Sequence, residues 1–370
     1  MLSPEKHIRP FTQDDIAQVT SLHWQVWGTK GVSLPANIRA EYDEYFRDIF
    51  LDGQAGDPRM SSKVYEESTG HILGFIGVVT RTMSLGERPL LAALGSQLIV
   101  DPVSRYKLVG VHLVKNFLDG PQDLSIADES NDAGRRVWEK MGGTTAMLSS
   151  LSWVRALRPM EYLAESARQR AVMLPLARAF VPVARVMDSA LARITRLQLR
   201  GGSIVVQESG ELDGHTVATH FAKFMGPDKI IPTYQNPLFD WLLRRASSKG
   251  RYGQLKAVTV KTNLGQVLGW YVYYAKRSGI SEVVHLVASH NNMSQVFNHL
   301  IHHAWEERAV ALTGRLDPAW LDILTQSHCW LHKRGPSLCV HSKHSDLLEH
   351  IRSDRWFSSR LDGEWCVRFR

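Results

Sequence analysis

The sequence predicts an α/β (α+β) protein of two units, each with a central mixed, twisted sheet flanked by helices. Three observations carry this. Short β-rich runs alternate with amphipathic helical runs in both halves of the chain. At 370 residues, 44% of them hydrophobic, the chain exceeds what one core of usual size organises. A segment rich in Ala, Arg, Leu and Met, broken by Pro159, Pro175 and Pro182, separates the two alternating regions. The expected division is residues 1–150, a helical connector over 151–198, and residues 199–370.

In the first unit, residues 7–10 end an opening strand. Thr12 caps a helix beginning near Asp14, where acidic side chains meet unpaired backbone N–H groups, and Leu22, Val26 and Trp27 continue its apolar face. Residues 63–67 and 71–80 read as strands joined by the turn Ser68-Thr69-Gly70. A strand over 90–100 is stopped by Asp101-Pro102, and a helix follows over 109–118. Residues 124–127 form a short strand, and a helix over 131–141 is stopped by Gly142-Gly143. In the second unit, strands are expected over 203–208, 255–261, 266–275 and 283–287, with helices over 238–246, 293–307 and 321–324. Helix, two strands around a Gly-containing turn, third strand and helix recur in the order of the first unit, the pattern of an internal duplication.

Composition narrows the function classes. A net charge of +7 and a pI near 9.3 suit an anionic cofactor, a nucleic acid or a membrane surface. No Arg/Lys run interleaved with aromatics occurs, and no nucleic-acid-binding motif, so a nucleic-acid partner is not expected. No run of about 18 apolar residues is present, so no membrane span is expected. The basic amphipathic stretch 151–198 suits peripheral membrane contact, although its pattern favours packing between the two units. The polar N-terminus lacks a secretory pattern, and Cys329, Cys339 and Cys366 make no CxxC spacing. A reducing, cytoplasmic setting is the expectation. His299 and His303 share a helix face, but there is no HExxH and no adjacent third ligand, so no metal is expected.

The most informative stretch runs from Gln97 to Gly110. A β-rich run ends at a proline, a short basic loop follows, and a helix starts around a glycine. Free N–H groups and the helix dipole at such a start favour a diphosphate. Gly110 lets the backbone approach phosphates without a Cβ in the way, and Arg105 and Lys107 add positive charge.

This stretch resembles motif A of the GNAT N-acetyltransferase superfamily. Val100 and Pro102 match the family's strand end, Arg105 its basic position and Gly110 its second glycine, while Leu108 stands where the first glycine belongs. Downstream, Asn131-Asp-Ala-Gly-Arg-Arg-Val-Trp-Glu-Lys-Met-Gly-Gly143 resembles the family's later helix, with Gly134 for the usual alanine and Trp138 for the usual tyrosine. Ile8-Arg9-Pro10 with Asp14-Asp15 resembles its opening, and residues 74–79 its strand after a Gly-containing hairpin. The resemblance covers roughly residues 7–150 and implies two GNAT-like acyl-CoA N-acyltransferase domains, the second degenerate: Ser289-His-Asn-Asn-Met-Ser294 stands where a phosphate loop would lie and has no glycine, Arg or Lys.

The function implied is direct acyl transfer from acetyl-CoA or another acyl-CoA to a small-molecule or other amine-bearing acceptor. The alternative is a non-catalytic CoA-binding regulatory protein. The resemblance places cofactor contacts at Ile99, Val100, Arg105, Lys107, Leu108, Val109, Gly110, Asn131 and Trp138. It implies that an amide of strand 96–100 holds the thioester carbonyl. Catalytic candidates are Asp128 and Glu129, just before the later helix, with Ser96 on the strand. The family's tyrosine protonates the leaving thiolate; Trp138, with one weakly acidic donor, cannot.

Overall fold

The computed structural model describes residues 7–29, 32–52, 59–168, 184, 187–188, 206–333 and 335–369. β1 (Ile8–Pro10) leads through a 3₁₀ turn into α1 (Ile16–Trp27). The Thr12 N–H donates to Asp15 Oδ2 at 2.8 Å, and Arg9 donates to the same oxygen at 2.7 Å, so the expected helix start is pinned to the strand. α2 (Ala36–Phe50) has no counterpart in the sequence expectations. It begins after Pro35 with no side-chain cap, so the usual start signal is missing.

β2 (Lys63–Glu66), β3 (Ile72–Leu85) and β4 (Arg88–Val100) form a meander longer than expected, and β3 and β4 turn at Gly86, whose φ is +58°. α3 (Val109–Leu118), β5 (Leu124–Ser130), α4 (Asp132–Lys140) and β6 (Thr144–Thr145) follow. α1 and α2 cover one face of this sheet through Phe46 and Ile49 against Phe75 and Leu94. α3 and α4 cover the other through Leu113, Phe117 and Trp138.

The connector needs one correction. Residues 152–156, read as part of a helical segment, form a strand, β7 (Ser152–Ala156). Trp153 and Val154 are both buried, at 2% and 7% exposure, as an interior strand covered on both faces requires. α5 (Pro159–Arg168) is helical. Apart from Ala184, Met187 and Asp188, the rest of the connector lies outside the described residues.

Beyond it come β8 (Val206–Glu211), α6 (Gly214–Met225), β9 (Ile230–Pro232), α7 (Asn236–Ser247), β10 (Gln254–Thr262), β11 (Val267–Ala275), β12 (Ile280–Ala288) and α8 (Met293–Glu306). β13 (Ala311–Arg315), α9 (Leu321–Gln326), β14 (Trp330–His332), β15 (Ser337–His341), α10 (Ser345–Arg352) and α11 (Glu364–Val367) complete the order. α6 was not anticipated, although Asp213 caps it by accepting from the Thr216 N–H at 2.6 Å.

The result is an α/β fold with two mixed sheets flanked by helices, as predicted. The first runs β1-β2-β3-β4-β5-β15-β6 with β9 beside β3, and the second β14-β7-β13-β12-β11-β10-β8. Among the described residues each has one parallel strand pair, β4/β5 and β12/β13, and the other strand pairs are antiparallel. β9 and β15, from the second half of the chain, lie in the first sheet, and β7 lies in the second, so the sheets exchange strands. No helix among the described residues is long and apolar enough to cross a membrane.

Candidate active site

β4 and β5 pair in parallel only from Ala92/Leu124 to Leu94/Ile126. Beyond that point they part. β4 also bulges: Phe75 faces Ile99 and Gly77 faces Ser96, leaving an extra residue on β4 where Gln97 takes a φ of +53°. Bulges of this kind turn backbone groups out of the ladder. The opening holds a cavity of about 440 Å³ lined by both strands, by α1 and by the chain end.

The chain end supplies what the sequence reading missed. Glu364 Oε1 accepts the Gln97 N–H at 3.0 Å and the Ser96 hydroxyl at 3.3 Å. The Glu364 N–H donates to Asp128 Oδ1 at 2.6 Å. Burial, reinforced by the nearby Asp128 carboxylate, pushes the Glu364 carboxyl up to about 8. Burial also raises Glu129, with Asp128 adding to the effect, while Arg368 pairs with it at 2.7 Å. No local motif marks Glu364, which lies 236 residues from Asp128. The only hint is the apolar Trp365-Cys366-Val367 that follows it, and all three residues are buried.

Of the expected catalytic residues, Glu129 lines the cavity. Asp128 lies behind it, 1% exposed and 3.0 Å from Arg315 Nη2. Ser96 is buried and spent on Glu364. His23, from α1, also lines the cavity, and its Nε2 donates to Gln97 Oε1 at 2.7 Å. Burial lowers its pKa to about 4, so the ring is neutral at pH 7.

Of the expected cofactor contacts, Asn131 and Trp138 line the cavity, whereas Ile99, Val100, Leu108, Val109 and Gly110 do not. Residues 102–107 form a 3₁₀ turn, and the side chains of Arg105 and Lys107 lie outside the described residues. Leu108 is left-handed, with φ +55°, and 57% exposed. The first bond of α3 runs from the His112 N–H to the Leu108 carbonyl at 3.0 Å, so the amides of Val109, Gly110 and Val111 precede the helical ladder. A Cβ on Gly110 would meet Val100 Cγ2 at 3.2 Å. The Ile99 side chain is core, not surface, at 1% exposure. Asn131 is a helix cap whose Oδ1 accepts the Gly134 N–H at 2.9 Å. Trp138 is 4% exposed and packs on Phe117, touching the cavity only at its edge.

The histidines singled out by spacing have other partners. His299 and His303 bond through Nδ1 to the hydroxyls of Tyr271 and Tyr273, at 2.9 and 2.7 Å. No cluster of three or more metal-ligating side chains occurs among the described residues.

A sheet whose parallel pair parts beside a bulge and a helix N-terminus can be compared with solved structures. A GCN5-related N-acetyltransferase from Anabaena variabilis matches with a TM-score of 0.57 at 13% identity, over 91% of this chain and 73% of that one. A second, from Kribbella flavida, matches at 0.55 and 13% identity, over 90% and 70%. A protein of unknown function from Enterococcus faecalis matches at 0.55 and 8% identity, over 90% and 72%. The chain has a GNAT-like fold. At these identities the likeness concerns the fold alone. No protein-family model matches the chain, and no curated protein matches it. Within the GNAT-like fold, the opening between β4 and β5 is where the cavity and the buried carboxylates meet.

Proposed function

We propose that this chain is a cytoplasmic N-acyltransferase that moves an acyl group from acetyl-CoA or another acyl-CoA directly to an amine. The observation that supports this is the cavity where β4 and β5 part, lined by the Glu129 and Glu364 carboxyls and by the start of α4. The residues present fit CoA. The amides of Val109 to Val111 suit a diphosphate, and Gly110 keeps the approach clear. CoA, when bound, supplies the thioester carbon that the acceptor attacks.

The chain's own residues then do three things. The bulged strand Ser96–Val100 would hold and orient the thioester arm. Glu364, in its ionised form, takes the proton that the acceptor nitrogen loses as the N–C bond forms and the C–S bond breaks, so transfer should speed up as pH rises toward 8. Glu129, held by Arg368, adds negative charge that draws a protonated amine to the mouth. Trp138 offers no acid that would protonate a departing thiolate. The second sheet's corresponding opening, between β12 and β13, holds only about 30 Å³ and is lined in part by residues 357–360, which fits a second unit that no longer takes CoA.

One observation favours the non-catalytic alternative: the Gln97 amide on the bulge is already occupied by Glu364. A single experiment separates the two. Acyl-CoA is incubated with a panel of amines, and CoA release is followed for the wild type and for Glu364→Gln. Turnover that falls about 10²–10⁴-fold in the variant, the usual worth of a general base, supports transfer. CoA binding by calorimetry without turnover on any amine would make the chain a binder.

A further inference from the structure

We propose that Arg315, at the end of β13 in the second sheet, is a positioning residue that sets the Glu364 carboxyl in the cleft of the first. This rests on the acyl-transfer reading above for its kinetic consequence, though not for its geometry. The path is short and buried. Arg315 Nη2 lies 3.0 Å from Asp128 Oδ2 and donates to the Asp128 carbonyl at 3.3 Å. The other Asp128 oxygen accepts the Glu364 N–H at 2.6 Å. Glu364 in turn reaches the bulge amide of Gln97. Asp128 is 1% exposed and the Arg315 side chain 10%, so water screens this chain of contacts little.

Two further observations show that the contact is built rather than incidental. A Cβ on Gly363 would lie 2.0 Å from Asp128 Oδ2, so only glycine lets the tail come this close. Arg315 is fixed by its own sheet: it pairs with Ser152 on β7, and its carbonyl accepts the Trp153 indole N–H at 3.2 Å. The exchanged strand thus holds the cation that holds the carboxylate that holds the tail. An isolated buried carboxylate is costly, and a guanidinium partner removes most of that cost. Without Arg315, the Asp128 charge bears directly on Glu364. The other titratable or charged groups around Glu364 among the described residues are Glu129 from β5, Tyr45 from α2, His23 from α1, Arg251 before β10 and Arg368 from the tail itself.

The test follows Glu364 by carbon NMR of carboxyl-labelled glutamate, beside the pH profile of acyl transfer. Arg315→Met should move the Glu364 midpoint upward by about one pH unit, the scale of an uncompensated neighbouring charge. It should lower kcat at pH 7 about tenfold, with the KM for acyl-CoA unchanged. Asp128→Asn, a conservative change that keeps the shape, should move the midpoint downward, and adding Arg315→Met to it should then have no further effect. A midpoint that stays fixed in either single variant, or effects that add in the double variant, would overturn the proposal. If the wild type transfers no acyl group, the functional reading fails, and the NMR midpoints alone decide the role of Arg315.

Discussion

Leu108 sits in the left-handed region at φ +55°, just before the first turn of α3. A side chain there costs about 1 kcal/mol or more relative to glycine. The GNAT-like arrangement thus keeps the backbone shape that a glycine would provide, while carrying a leucine. Leu108→Gly should therefore raise stability by up to about 1 kcal/mol, less what glycine loses in unfolded-state entropy. Urea titration of both proteins measures this; a clear loss of stability would mean that the exposed leucine packs on something essential. Glu364 allows a second prediction at this scale. Its folded pKa of about 8 stands above its ordinary value of 4.5. Between those values the folded state holds a proton that the unfolded state has lost. The contribution is therefore full below about pH 4.5 and declines as pH rises through 8. Glu364→Gln, neutral at every pH, escapes that decline. Its stability relative to wild type should improve steadily from pH 5 to pH 8, on the order of a few kcal/mol, and then level off. A relative stability independent of pH would show that the carboxyl ionises as it does in water.

Among elements, those legible in the sequence are the ones with local signals. α3 falls at Val109–Leu118 as expected, because Asp101-Pro102 stops β4 and an apolar helical face follows. α4 was legible because Asn131 caps it and Gly142, with φ +87°, ends it. α2 was not, because it starts after Pro35 without a side-chain cap and is held by tertiary contacts, Phe46 and Ile49 in the core and Phe50 over Gly77. β7 was misread because the helical composition of the following residues extended the reading backward over Ser152–Ala156, whose partners β13 and β14 lie more than 150 residues away. The site divides the same way. The approach to α3 was legible because it is local, a strand end, a turn and a helix start. The carboxyl cluster was half legible: Asp128 and Glu129 stand beside a strand end, but Glu364, Arg368 and Arg315 arrive from the far end of the chain. Spacing along a sequence carries no information about such meetings.

For the whole molecule, the exchanged strands and the tail remove the independence of the two sheets. β15 sits between β5 and β6, so the first sheet cannot close without residues 337–341. β7 sits between β13 and β14 in the second. Trp365, Cys366 and Val367 pack into the cores of both regions, Trp365 and Cys366 with Phe239 and Trp270, Val367 with Phe46 and Phe75. A fragment ending at residue 150 would leave the outer edge of β5 unpaired and expose the floor of the α1–α2 core. It would also leave Asp128 without Arg315 and without the Glu364 N–H, two losses at a buried carboxylate. Such a fragment should show no cooperative thermal transition. The full chain should unfold in one calorimetric transition whose van't Hoff and calorimetric enthalpies agree, despite a length at which separate steps are common. Two resolved transitions in the full chain, or a 1–150 fragment that melts cooperatively near the full-length temperature, would show that the exchanged strands are dispensable and that the first sheet carries its own stability.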